Sequence, residues 1–267
     1  MTTHAVTWSI LWPAFIAGLI VAASHVPLGM QVLRKGIVFI DLAIAQIAGF
    51  GVIAADAMSF ESGTMVQVSA LVAAIAGALL LTWTEKKFPE VQEAIIGVAF
   101  VLAATAALIL LANNPHGAEH MKDILVGQIL WVNPNSLWLQ AAISAIILAI
   151  WFGVGQRIGR VGFYVLFACA VTMSVQLVGL YLVFATLIVP ALATREYMRK
   201  QLVVAYVVAL FGYGLGLAIS AWLDWPSGPV IVWAIAIVGI VAYTLRSRKA
   251  SISKLNLWND VDVGRSV

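Results

Sequence analysis

Apolar residues in this chain come in long runs rather than at alternating or heptad spacing. Short polar breaks separate runs near residues 8–28, 37–56, 65–84, 94–112, 137–155, 161–177, 179–194, 202–222 and 229–245. A helix needs about 20 residues to cross a hydrocarbon core of roughly 30 Å, so most of these runs are long enough to be membrane spans. A spanning segment must satisfy its own backbone N–H and C=O groups, and for runs of this length that means α-helix. The pattern predicts an all-α, polytopic membrane bundle. Its least regular part is Val161–Thr194, where Gly179 alone separates two runs and one helix is short or broken. Eight or nine transmembrane helices are expected, with nine preferred.

Composition agrees with the pattern. The 267 residues are 63% hydrophobic and only 10% charged, with a mean hydropathy of +1.01, whereas soluble domains carry about 25% charged residues. Residues 1–250 read as one transmembrane domain and 251–267 as a short cytoplasmic tail. The N-terminal segment MTTHAVTWS has no basic region of the signal-peptide kind, so the first run is expected to remain as a span. Cys169 is the only cysteine, which excludes an internal disulfide. No G-x-x-x-x-G-K-[ST] loop occurs, so ATP binding by that device is excluded for this chain.

Charge adds an orientation. With nine spans, alternate loops carry Arg34 and Lys35, then Lys86 and Lys87, then Arg157 and Arg160, then Arg195, Arg199 and Lys200, and the tail carries the rest. That places 14 of the 15 basic residues on one side, Lys122 being the exception. By the positive-inside rule the N-terminus is outside and the C-terminus inside. The net charge of +3 is then a matter of topology and calls for no nucleic acid.

The external side holds Asp56, Glu61, Asp123 and the stretch HGAEH, with His116, Glu119 and His120. H-x-x-E-H is a zinc-protease pattern when a helix carries it. Here Pro115 precedes it and Gly117 interrupts it, after the turn residues Asn113 and Asn114, so a solvated loop is expected, with weak external metal capture as its further use. Inside the membrane the one carboxylate is Asp41, in GIVFIDLAIAQIAGFGVIAA, with Gln46 farther along. An intramembrane carboxylate is a functional candidate. The alternative is that Asp41 caps its helix or pairs with Arg34 or Lys35 near the surface. Asp41 and Gln46 are about 140° apart around an ideal helix and make no simple ligand pair. His25 and Gln176 read as packing residues, and Gly155-x-x-x-Gly159 and Gly212-x-x-x-Gly216 as close helix approaches.

Four stretches in order, GIVFIDLAIAQIAGFGVIAA, LVGQILWV, VGLYLVFATLIVPALATR and DWPSGPVIVW, together resemble the membrane subunit of ABC importers for zinc, manganese and iron. The resemblance implies a bacterial inner-membrane permease, not an enzyme, that works as a homodimer. It implies cytoplasmic ABC ATPase subunits as separate chains and an extracytoplasmic metal-binding protein that delivers the cargo. No cofactor is expected on the chain itself, only a divalent metal in transit, zinc ahead of manganese or iron. It implies that the segment after Pro190, with Arg195, Glu196, Arg199 and Lys200, contacts the ATPase. One departure stands out. The family's second span carries G-D-x-x-S-H, and alignment on Gly51 puts Leu42, Ala45 and Gln46 at its Asp, Ser and His, with Asp41 one position early. The usual metal pair is therefore not carried over, and an ABC permease for a non-metal substrate stays open beside a stand-alone proton-coupled transporter using Asp41.

Overall fold

The computed structural model describes residues 2–58, 62–111, 125–154, 157–197 and 199–263, with side chains between Ser9 and Arg246. Among these residues there are nine α-helices and no strand. They are α1 (Thr2–Lys35), α2 (Ile40–Ala57), α3 (Gly63–Lys87), α4 (Gln92–Leu111), α5 (Pro134–Val154), α6 (Gly159–Val178), α7 (Leu180–Ala193), α8 (Gln201–Leu223) and α9 (Ser227–Val263). Eight are long and apolar enough to cross a membrane. The ninth, α7, has 14 residues and is the short helix expected on one side of Gly179. The polytopic all-α bundle is as the apolar runs predict.

α1 is a central post that packs against α5, α6, α7 and α8, while α2 packs against α3 and α4 and reaches α6. Small residues let these helices approach closely. At Gly29 an added Cβ would strike the Leu187 carbonyl oxygen of α7, and at Gly51 it would sit 2.8 Å from the Ala73 Cβ of α3. Gly212 and Gly216 of α8 lie against Ile235 and Ile231 of α9, as their spacing suggests, whereas nothing packs on Gly159. Gly159 instead has φ +67° and opens α6, and Gly155 lies outside the described residues.

Proline inside the bundle creates specific ties. Pro27 lies within α1 and has no N–H for the carbonyl of Ala23 one turn back. That freed carbonyl accepts the Tyr206 hydroxyl of α8 at 2.8 Å. A second tie joins α7 to α8. Thr186 Oγ1 donates to Leu182 O at 2.7 Å and meets the buried Tyr213 Oη at 2.9 Å.

The two ends of the bundle differ. At one end Lys35 lies over the Phe163 ring at 5.0 Å, Arg34 donates to Gln201 Oε1 at 3.5 Å, and Arg195 and Arg246 stack on tyrosines. At the other end three segments distant in sequence converge. Gly127, with φ +69°, lies backbone to backbone against Gly179, with φ +85°, and Val126 O comes within 2.6 Å of where a Cβ on Gly228 would be. These are parts of the quoted stretches LVGQILWV, VGLYLVF and DWPSGPVIVW, so three of the four meet in one place. A cavity of about 320 Å³ lined by Gln128, Trp131, Trp225 and Ser227 lies among them.

Candidate functional site

α2 is regular and buried on most of its circumference, because it has α3, α4 and α6 around it. Residues Gly36–Phe39 form a turn and the helix begins only at Ile40, so Asp41 lies in its first turn rather than part-way along a span that starts at Gly36. Asp41 is 0% exposed and Gln46 is 4% exposed. No bulge interrupts α2, so the two point about 140° apart and form no shared ligand pair.

Both carboxylate oxygens of Asp41 are buried without a hydrogen-bond partner. The alternative of a surface pairing is not what the structure has. Arg34 reaches Gln201 and Lys35 reaches Phe163. The helix start is capped from another element, since the N–H of Phe39 donates to Glu93 Oε1 of α4 at 3.2 Å. Unsatisfied buried polar atoms are costly and uncommon, and each calls for a reason. The first-turn dipole of α2 favours the negative charge but does not replace hydrogen bonds.

Asp41 is not isolated in this respect. His25 of α1 is 0% exposed; its Nδ1 lies 3.1 Å from Val21 O and 3.1 Å from Ser24 Oγ, and its Nε2 has no partner. A proton on Nδ1 directed at the Val21 carbonyl leaves Nε2 as a bare lone pair. Thr172 Oγ1 of α6 is likewise buried and unpaired. α6 packs against both α1 and α2 and so joins the helices that carry these groups. The sequence offered His25 only as a polar residue in an apolar run; its orphaned nitrogen depends on how α1 packs. Among the described residues no group of three or more His, Cys, Asp or Glu side chains is placed to hold a metal. His116, Glu119 and His120 lie outside the described residues.

The segment between α7 and α8 carries Arg195, Glu196, Arg199 and Lys200, all exposed. It is tied to both neighbours. Thr194 Oγ1 donates to Pro190 O at 2.7 Å, Tyr197 Oη to Ala242 O at 3.1 Å, and Tyr243 Oη to Glu196 Oε1 at 3.2 Å. Arg195 stacks on Tyr243 at 5.7 Å and Arg246 on Tyr197 at 5.4 Å. Lys200, just before α8, has a left-handed backbone with φ 63°.

Eight membrane-length helices, buried unanswered polar groups among them and a tethered charged segment at one end define a polytopic membrane protein. The ABC 3 transport family matches residues 7–158 and 148–246, and the chain belongs to that family. It is a multi-pass protein of the bacterial inner membrane. Two relatives illustrate its range. The high-affinity zinc uptake system membrane protein ZnuB of Haemophilus influenzae is 21% identical, over 90% of this chain and 99% of the relative. The chelated iron transport system membrane protein YfeD of Yersinia pestis is 24% identical, over 86% of this chain and 83% of the relative. Among solved structures, PsaBC from Streptococcus pneumoniae in complex with Fab has the same fold, with a TM-score of 0.68 at 20% identity, covering 88% of this chain and 89% of that one.

Proposed function

We propose that the chain is the permease of an ATP-driven importer of a divalent transition metal, zinc ahead of manganese or iron. Two copies make the working permease. Separate ATPase subunits engage the basic end, which is cytoplasmic, and an external binding protein delivers metal at the opposite end, where the N-terminus lies. The metal is cargo and passes through; it is not a resident cofactor.

The observation that carries this reading is Asp41, a fully buried carboxylate in α2 with neither oxygen answered. Buried polar atoms without a hydrogen-bond partner are costly, so a fold that leaves both oxygens of a carboxyl group unanswered has a use for it. A cation in transit would supply the missing partner. Imidazole suits zinc and iron rather than manganese, and the Nε2 of His25 is a bare imidazole nitrogen in the same bundle, which supports placing zinc ahead of manganese. Gln46, with an amide where the family has histidine, takes a positioning part in the path at most. His116, Glu119 and His120 are a weak external capture point, and the names of the relatives, zinc for one and chelated iron for another, fit a metal cargo.

Coupling follows from the ties around Arg195–Lys200. The segment is bonded to α7 through Thr194 and to α9 through Tyr197 and Glu196. A push on it by an ATPase therefore reaches two helices at once, and through α7 it reaches α1.

The test is the metal content of whole cells grown metal-poor, read by mass spectrometry. Wild type, a deletion, and the deletion complemented with wild type or Asp41→Asn are compared. Zinc should fall in the deletion and return with wild type only. A fall confined to manganese or iron keeps the importer and changes its cargo. No change in any metal overturns the reading.

A further inference from the structure

Between α7 and α9, at the basic end, runs a groove of about 390 Å³. Its walls are Val189 and Leu192 of α7 and Ala236 and Ile240 of α9, and at its mouth stand Arg195 and Tyr243. Leu192 is 43% and Ile240 64% exposed, so the groove opens sideways onto the outer surface of the chain rather than into the bundle. Gly239 keeps the two helices close, since a Cβ there would come within 2.8 Å of Val189 Cγ1.

The mouth has the chemistry of a membrane interface. Tyr243 and Tyr197 have their hydroxyls bonded, to Glu196 and to the Ala242 carbonyl. Arg195 and Arg246 lie on those rings. The nearby carboxylate, Glu196, bonds Tyr243, and among the described residues no carboxylate pairs with Arg195. Arg195 thus offers free N–H donors at the top of an apolar slot, with Arg199 and Lys200 following in the chain.

We infer that this groove binds one anionic phospholipid, with an acyl chain between α7 and α9 and the headgroup phosphate on Arg195. A hydrocarbon slot capped by a cation matches a molecule with an apolar tail and an anionic head. Basic pockets between membrane helices hold acidic headgroups for the same electrostatic reason. A soluble anion would leave the slot unfilled, and an apolar side chain from a second copy would leave Arg195 unanswered. The site adjoins the Arg195–Lys200 segment, so a bound lipid would brace the helices on which that segment is anchored.

Native mass spectrometry of the purified full-length chain, titrated with phosphatidylglycerol or phosphatidylcholine, tests this directly. Wild type should retain one phosphatidylglycerol in clear preference to phosphatidylcholine. Arg195→Gln should lower that preference by about fivefold, the weight of one basic residue at an anionic surface, with phosphatidylcholine, whose phosphate is offset by its choline cation, weakened less than phosphatidylglycerol. Ala236→Phe, which fills the slot, should abolish retention of both lipids. A thermal melt like that of wild type would show that each variant is folded, and Ile240→Ser, which removes apolar wall without adding bulk, serves as the second test if Ala236→Phe does not fold. Equal retention of the two lipids by wild type overturns the proposal, as does displacement of the adduct by inorganic phosphate or by a second copy of the chain.

Discussion

The hydroxyl of Tyr206 on α8 donates to the carbonyl of Ala23 on α1 at 2.8 Å, and Pro27 is the reason that carbonyl is free to accept. Tyr206→Phe leaves the carbonyl unanswered in an apolar interior. The expected loss is about 0.6 kcal/mol and at most about 1.7, the range for interhelical hydrogen bonds in membranes. Pro27→Ala restores a donor within α1, so Tyr206→Phe should cost less in that background. Thermal or denaturant unfolding of the four proteins in one detergent reads the difference; equal losses in the two backgrounds would show that the bond does not depend on the proline.

Glu93 of α4 accepts from the N–H of Phe39, the cap residue of α2, and so a helix that begins beside Asp41 is held by a side chain from another helix. Replacing a capping side chain by alanine costs about 0.5–2 kcal/mol. Glu93→Ala should therefore speed hydrogen exchange at Phe39 and Ile40 by roughly fivefold, an effect of about 1 kcal/mol. Glu93→Gln keeps an acceptor oxygen and should stay near wild type. Unchanged exchange in Glu93→Ala would mean that the start of α2 is fixed by packing alone.

How much of this was legible in the sequence depends on the range of the interaction. The helices were legible because apolar length is a local property, and the break at Gly179 was visible as one residue between two runs. The first turn of α2 was misplaced by a few residues, because Gly36–Phe39 are as apolar as the helix and the Glu93 side chain that meets Phe39 comes from another helix. Asp41 stood out as a carboxylate among aliphatic residues. That Arg34 and Lys35 turn away from it toward Gln201 and Phe163 was not visible, since those partners come from α8 and α6. The orphaned Nε2 of His25 had no local signal, because a buried histidine is satisfied or not according to its neighbours. The meeting of Gly127, Gly179 and Gly228 had no local signal either, since it brings together three stretches far apart in sequence.

Gly179 and Gly97 should respond to alanine in opposite directions. Gly179 has φ +85° and ψ 161°, and its Cβ would land on the backbone of Gly127. Neither the backbone nor the contact can accept a side chain, so Gly179→Ala should fail to fold or lose most of its thermal stability. Gly97 lies inside α4 and a Cβ there meets nothing within 4 Å. Gly97→Ala should stabilise by about 0.5–1 kcal/mol through its backbone alone. A fluorescence-detected melt of the two variants decides this, and a stable Gly179→Ala would show that the junction of α6 and α7 yields more than its geometry suggests.

Lys200 combines two roles that substitution can separate. Its backbone is left-handed, with φ 63°, which favours glycine, and its ammonium is the last charge of the segment proposed to meet the ATPase. Lys200→Gly should keep or slightly raise thermal stability, because glycine adopts this conformation without steric penalty. Lys200→Val should lower it, by roughly 1 kcal/mol or more, since a branched side chain is the least tolerant of positive φ. If the charge matters for coupling, Lys200→Gly and Lys200→Glu will both depress metal uptake at normal protein levels in the membrane, and Lys200→Glu more strongly. If uptake follows the melting temperature across the three variants instead, Lys200 shapes the start of α8, and the coupling role passes to Arg195, Glu196 and Arg199.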